Sequence, residues 1–246
     1  MLAPATIVPR AILFDLDETI LTEGHRGTIL GIIAEEFAHE LAPHRPAEVA
    51  AQLDAAFDAF WGVSPRARAT RLAGGRGIRH IRETVISECL VRIGIGSPTL
   101  AKVLCDRFME IRAESTRLFP GARETVVALR QMGVRLALVT NGAADVQRAK
   151  LERFNLRDLF DHIQIEGEQG FGKPEEIAYT HAMSAIATVS GETWMVGDNL
   201  EWEVAAPQRL GIFAIWHDHR GHGLPTGTTI KPNRIIQSVA ELMLSA

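Results

Sequence analysis

Cysteine is scarce in this chain of 246 residues, which holds only Cys89 and Cys105. Neither sits in a CxxC pair or beside a histidine pattern, which excludes a disulfide scaffold and a structural zinc site. Both lie in segments with helical spacing and read as reduced core thiols. Long apolar runs are absent too, and no stretch approaches the roughly 20 residues that a membrane-spanning helix needs. The opening MLAPATIVPR, with two prolines and no extended apolar region, does not read as a signal peptide. A cytoplasmic protein without a membrane partner is therefore expected. Basic excess is missing: 26 Lys and Arg stand against 30 Asp and Glu, a net charge of −4. No global basic field favours nucleic acid. The GGRG segment lacks the lysine and spacing of a P-loop. Internal repeats and low-complexity segments are absent as well.

What the chain does hold is apolar residues, 46% of the total, enough for a sizeable core. Their rhythm changes along the sequence. In RAILFDLDETILTEG, residues Ile12, Leu13 and Phe14 read as a strand buried on both faces, with turn and loop from Thr19 to Gly24. Four segments of helical spacing follow without a strand signal: HRGTILGIIAEEFAHEL, PAEVAAQLDAAFDAFW, IRHIRETVISECLVRIG and SPTLAKVLCDRFMEIRAES. Near Thr116 the pattern turns to alternation. PGARETVVALRQMG reads as a helix, VRLALVTNG as a strand and turn, ADVQRAKLERFN as a helix and HIQIEGE as a strand. GKPEEIAYTHAMSAIA reads as a loop and helix, TWMVGDN as a strand before a short helix, IFAIW as a strand, and IIQSVAELMLSA as a closing helix. Such alternation predicts an α/β core with a parallel sheet covered on both faces. The core comprises residues 1–21 and 117–246, and an all-helical insert spans 22–116.

Asp15 and Asp17 stand one residue apart where the first strand ends. Such a pair is often a helix N-cap or a solvated turn. Held at the exit of a buried strand, however, two acids repel each other and lose hydration, so a cation or a proton is needed. The carboxyl ends of parallel strands share one edge. That edge gathers Asp15, Asp17, Thr140, Asn141, Gly142, Asp198 and Asn199, with Lys173 in the GFGKPEE loop. Asp15 and Asp198 offer hard oxygen ligands for Mg²⁺. Lys173 and the turn after Thr140 suit an anion's oxygens. A carboxylate can attack phosphorus, and a second acid can protonate the leaving oxygen and then activate water. Phosphoryl transfer otherwise needs mainly positioning and charge neutralisation.

DLDET, LVTNG, GKPEE and VGDNLEWEV together resemble, in order, the four motifs of the haloacid dehalogenase-like (HAD) hydrolase superfamily. The resemblance implies a Rossmann-like core and makes the insert that family's helical cap. It implies Asp15 as nucleophile and Asp17 as general acid/base. It implies Mg²⁺ held by Asp15, the Asp17 carbonyl and Asp198, and a phosphoryl group held by Thr140, Asn141 and Lys173. Keeping an acid at Asp17 favours a phosphatase of a small phosphorylated metabolite over the alternative, a 2-haloacid dehalogenase, whose halide leaves without a proton. A phospho-accepting signalling module is the other alternative, but receiver domains are much shorter and do not place the phospho-acceptor on the first strand with a second acid two residues later. Two departures stand out. Glu203 replaces the usual last aspartate, and its longer arm suggests a place behind the metal. Pro207 falls in the helix after that motif and predicts a kink or a late start.

Three further features carry less. His217, His219 and His222 in HDHRGHG could bind a transition metal, but a polar loop explains them better. Trp194, Trp202 and Trp216 flank strands and read as packing. Six arginines and no acid lie between Ser64 and Arg82. They form a solvated or salt-bridged face, or else an anion-recognising lip on which Arg76 and Arg79 set substrate specificity.

Overall fold

The computed structural model describes residues 9–61 and 74–245. In chain order its elements begin with β1 (Ala11–Phe14), β2 (Leu21–Thr22), α1 (Arg26–Glu36), α2 (Pro46–Trp61), α3 (Gly74–Arg92) and α4 (Pro98–Ser115). There follow β3 (Arg117–Leu118), α5 (Ala122–Gln131), β4 (Arg135–Thr140), α6 (Ala144–Arg153) and β5 (His162–Ile165). The chain ends with α7 (Glu166–Gln169), α8 (Glu176–Ala185), β6 (Thr193–Gly197), α9 (Ala206–Arg209), β7 (Phe213–His217) and β8 (Arg234–Ile236). Contacts divide the chain into two compact units, Met1–Thr22 with Arg117–Ala246, and Glu23–Thr116.

The first unit is a six-stranded, wholly parallel sheet in the order β5-β4-β1-β6-β7-β8. Side chains alternate between the faces of a strand, and the core divides accordingly. Ile12, Phe14, Leu136, Leu138 and Val196 pack with Ala122, Val126 and Leu129 of α5. Ala11, Leu13, Ala137, Val139 and Met195 pack on the opposite face with Ala178, Tyr179 and Ala182 of α8. Both faces of β1 are thus apolar and buried, as its unbroken hydrophobic run requires.

The second unit is helical among its described residues. Its core joins Ile29, Ile33, Leu41, Val49, Leu53, Phe57, Val85, Leu104 and Phe108, with Phe57 stacked on Phe108 at 5.4 Å. Cys89 and Cys105 are buried and free. No described helix is long and apolar enough to cross a membrane. The arginines at 66, 68 and 71 lie outside the described residues.

Two local expectations are corrected, and the late helix start that Pro207 predicts is found. The loop after β1 contains β2, which pairs antiparallel with β3 where the chain returns from the helical insert. The closing helix is instead strand β8, paired with β7, and a 3₁₀ turn over Val239–Ser245. Pairing at the sheet edge prevails over helical periodicity there, and Glu241 Oε1 accepts from the N–H groups of Gln237 (2.8 Å) and Ser238 (2.9 Å) before the turn begins. Between β6 and α9 the backbone forms a π-turn, Leu200–Ala205, and α-helical geometry starts only at Ala206. Pro207, which has no N–H to donate, sits in the first turn of α9, so the α-helix starts late.

Candidate active site

Strands β4, β1 and β6 lie side by side. Their register sets Phe14 level with Leu138 and Val196, so Asp15, Thr140 and Asp198 leave one edge of the sheet together. Asp15 begins its loop with its N–H bonded to Val196 O at 2.9 Å.

Lys173 lies buried between two carboxylates. Its Nζ donates to Asp15 Oδ1 at 2.5 Å and stands 2.6 Å from Glu203 Oε1, an ion-pair contact outside hydrogen-bond alignment. One oxygen each from Asp15, Asp198 and Glu203 fall within 4.8 Å of one another. Burial pushes the pKa of Asp15 up against the opposing pull of Lys173. Burial, with the charges of Glu203, Asp15 and Glu18, raises Asp198 well above the carboxylate range. Glu203 is pushed up to about 7 by burial, although Lys173 opposes this. Burial alone would lower Lys173, but Asp15 and Glu203 override it and hold its pKa above the ordinary lysine value. Three carboxylates share one ammonium in a largely buried site, and a divalent cation is the group that would balance them. The donor set, all hard oxygen, fits Mg²⁺.

Around this centre the backbone is tightly held. Glu203 Oε2 accepts from Asn199 N–H at 2.8 Å, and Asn199 Oδ1 caps the π-turn by accepting from Glu201 and Trp202 N–H, both at 3.0 Å. Trp216 Nε1 donates to the Asp198 carbonyl at 2.6 Å. Asn141 spends its side chain on Lys173: Oδ1 accepts from Lys173 N at 2.9 Å and Nδ2 donates to Lys173 O at 2.6 Å. Gly142 N–H donates to the buried Glu166 Oε2 at 3.2 Å. Thr140 Oγ1 accepts from Gln147 Nε2 at 2.6 Å.

Asp17 is held apart from Lys173. Its Oδ1 accepts from Lys150 Nζ at 2.8 Å and its Oδ2 from Gln147 Nε2 at 2.9 Å. Sequence reasoning missed Gln147, Lys150, Glu166 and the Trp216 donor. Gln147 did carry a signal, because it shares the buried stripe of α6 with Leu151, where an apolar residue belongs.

The histidines gather elsewhere. His217 Nδ1 donates to the Glu18 carbonyl at 3.0 Å, and His219 Nε2 lies 3.5 Å from Glu18 Oε2. Both rings pack edge-on against Phe119, at 5.1 and 5.2 Å. His222 N–H donates to Asp218 Oδ1 at 3.1 Å. Among the described residues these histidines form no metal-ligating group. Arg79, on α3, is paired with Asp106 of α4.

The chain matches the haloacid dehalogenase-like hydrolase family over residues 9–211. It belongs to that family. It is 30% identical over 252 residues to a phosphoserine phosphatase of Thermus thermophilus, covering 96% of this chain and 98% of that one. It is 30% identical to a ribulose-1,5-bisphosphate 5-phosphatase of Halopiger xanaduensis over 209 residues, 85% of this chain and 84% of that one. The fold is shared with the putative HAD-hydrolase YfnB of Bacillus subtilis, a structure bound to magnesium. The TM-score is 0.69 at 23% identity, covering 96% and 97% of the two chains. It is shared also with an L-2-haloacid dehalogenase of Xanthobacter autotrophicus, at a TM-score of 0.61 and 14% identity, covering 96% and 97%.

Proposed function

We propose that the chain is a Mg²⁺-dependent phosphatase that hydrolyses a small phosphorylated metabolite through an aspartyl-phosphate on Asp15. One observation carries the reading: a buried lysine bridges two carboxylates at the strand edge, with a third beside them and a further acid, Asp17, held separately. The names of its relatives, a phosphoserine phosphatase and a sugar-bisphosphate phosphatase among them, support it. Dehalogenation would give Asp17 no task.

Asp15 and Asp198, with the Asp17 carbonyl, would hold the ion. When bound, Mg²⁺ offsets charge on the phosphoryl oxygens and on Asp15. Lys173 adds its own positive charge, fixed by Glu203, and the Thr140 hydroxyl and the Asn141 turn hold the remaining oxygens. The Asp15 carboxylate attacks phosphorus as the ester P–O bond breaks, and Asp17 gives its proton to the leaving alkoxide. Asp17, now a carboxylate, takes a proton from water. The water oxygen attacks phosphorus, the P–O bond to Asp15 breaks, and inorganic phosphate leaves. Glu203 keeps Lys173 in place and stands behind the metal. Two free buried thiols suit a reducing cytoplasm.

Phosphate release across a panel of phosphorylated metabolites tests the reading, with Asp15→Asn as the control. Turnover should fall on the order of 10³-fold or more in that variant. Asp15→Asn protein with near-native turnover would refute the mechanism.

A further inference from the structure

Helix α6 follows directly on the LVTNG turn and carries Gln147 and Lys150 three residues apart, on neighbouring positions of one face. Lys150 Nζ donates to one oxygen of Asp17 at 2.8 Å and Gln147 Nε2 to the other at 2.9 Å. Each oxygen of the carboxyl thus has its own donor, and both donors belong to one rigid element. The plane of the Asp17 carboxyl is set by α6, not by the loop on which Asp17 lies.

Gln147 does a second thing. Its Nε2 also reaches Thr140 Oγ1 at 2.6 Å. An amide nitrogen only donates, so this oxygen accepts and its own proton is left for another group. Within the protein it reaches Asn141 O at 3.4 Å, a long contact. The side chain of Gln147 is buried, where an amide is costly unless its hydrogens meet acceptors. Here they meet Asp17 and Thr140, one residue from each of two catalytic segments 123 positions apart in the chain (140 − 17).

We propose that Gln147 and Lys150 are positioning residues of the phosphatase site. Gln147 and Lys150 orient Asp17 for proton transfer, and Gln147 also turns the Thr140 hydroxyl outward as a donor to the phosphoryl oxygens. The inference rests on the phosphatase reading of that site. Lys150 acts on Asp17, and Gln147 acts on both Asp17 and Thr140. A precise carboxyl orientation matters because proton transfer requires hydrogen-bond reach and alignment.

The test uses purified full-length enzyme with Mg²⁺ and p-nitrophenyl phosphate, whose phosphoenzyme needs Asp17 as base. Lys150→Met should lower kcat roughly 10- to 100-fold. It should leave KM and inhibition by inorganic phosphate within about twofold, since Lys150 touches no phosphoryl oxygen. Lys150→Arg, which keeps a donor and a charge, should recover most of the loss. Gln147→Met should lower kcat and also weaken inhibition by inorganic phosphate. The decisive measurement is a double-mutant cycle. Adding Lys150→Met to Asp17→Asn should cost less than about twofold, because the group it positions is already gone. Lys150→Gln runs the same cycle if the methionine variant does not fold, as judged by its unfolding transition. Equal losses from Lys150→Met in the wild-type and Asp17→Asn backgrounds would make its role structural and overturn the inference. Full kcat in Lys150→Met would do the same. Wild-type enzyme that loses turnover in Asp15→Asn but ignores both α6 substitutions would overturn this inference alone. Wild-type enzyme with no phosphatase activity would overturn the site reading and this inference with it.

Discussion

Glu203 lies so closely across Gly197 that a β-carbon on the glycine would stand 2.7 Å from Glu203 Cβ and 2.8 Å from its Cδ. Gly197 ends β6, and its missing side chain is the space through which the glutamate reaches Lys173. Gly197→Ala should therefore push Glu203 off the ammonium it holds. Overpacking of this kind costs about 1–3 kcal/mol, measurable as a lower denaturant midpoint at unchanged slope. Turnover should fall further than stability alone explains, because Lys173 loses one of its two anchors. A variant with native unfolding and native kcat would show that Glu203 can move freely.

Strands β1, β4 and β6 were legible because they are short, largely buried apolar runs ending in polar turns. Asp15, Thr140, Lys173 and Asp198 could be grouped for the same reason: strand ends in a parallel sheet share an edge. What escaped the sequence depends on pairing and on side-chain reach. Arg234–Ile236 became a strand only because β7 offers an unpaired edge at Ile215–His217. Glu203 reads as a residue behind the metal from its length, but the gap over Gly197 that admits it is a property of packing. Lys150 looks like an ordinary polar helix residue, and only the docking of α6 against the first loop turns it toward Asp17.

His219 gives a pH dependence of stability. Burial, then the neighbouring His217 and Arg220, lowers its pKa from 6.5 to about 4. A histidine whose native pKa lies below its unfolded value binds fewer protons when folded. Stability is then lost as pH falls from the unfolded pKa toward the folded one, and this loss is complete below about 4. His219→Gln removes the titration. Between pH 7 and pH 4 the wild type should lose more unfolding free energy than the variant, by on the order of 1–2 kcal/mol. Parallel denaturant titrations of the two proteins measure the difference, and identical pH profiles would show that His219 titrates freely.

Arg79 separates a structural role from a recognition role. Its partner Asp106 is also held by Lys102 at 2.7 Å, and this pair is partly exposed on both sides. Such pairs contribute about 0–1 kcal/mol, so Arg79→Ala should barely change the unfolding midpoint. If Arg76 and Arg79 recognise a second anionic group on the substrate, Arg76→Ala and Arg79→Ala should raise KM for that substrate. Hydrolysis of a minimal aryl phosphate should stay nearly unchanged, since remote binding energy serves only the substrate that carries the group. Kinetics on both substrates decide it. Equal effects, or none, would assign the arginines to the helical unit's own surface.

Metal binding should be readable without any substrate. Burial raises the pKa values of Asp15, Asp198 and Glu203, and the single charge of Lys173 only partly opposes it. A cation that binds only the folded site stabilises it by mass action, about 2.7 kcal/mol when its free concentration is 100 times Kd. Mg²⁺ should therefore raise the unfolding temperature of the wild type, and EDTA should return it to the metal-free value. Asp198→Asn should remove most of that response. Protons compete with the metal for the Asp15 and Asp198 carboxylates, whose pKa values are raised, so the Mg²⁺-induced rise should shrink as pH falls and recover as pH rises. Thermal unfolding at several pH values, with and without Mg²⁺, measures this. An unfolding temperature indifferent to Mg²⁺ at every pH would mean that the three carboxylates serve Lys173 alone.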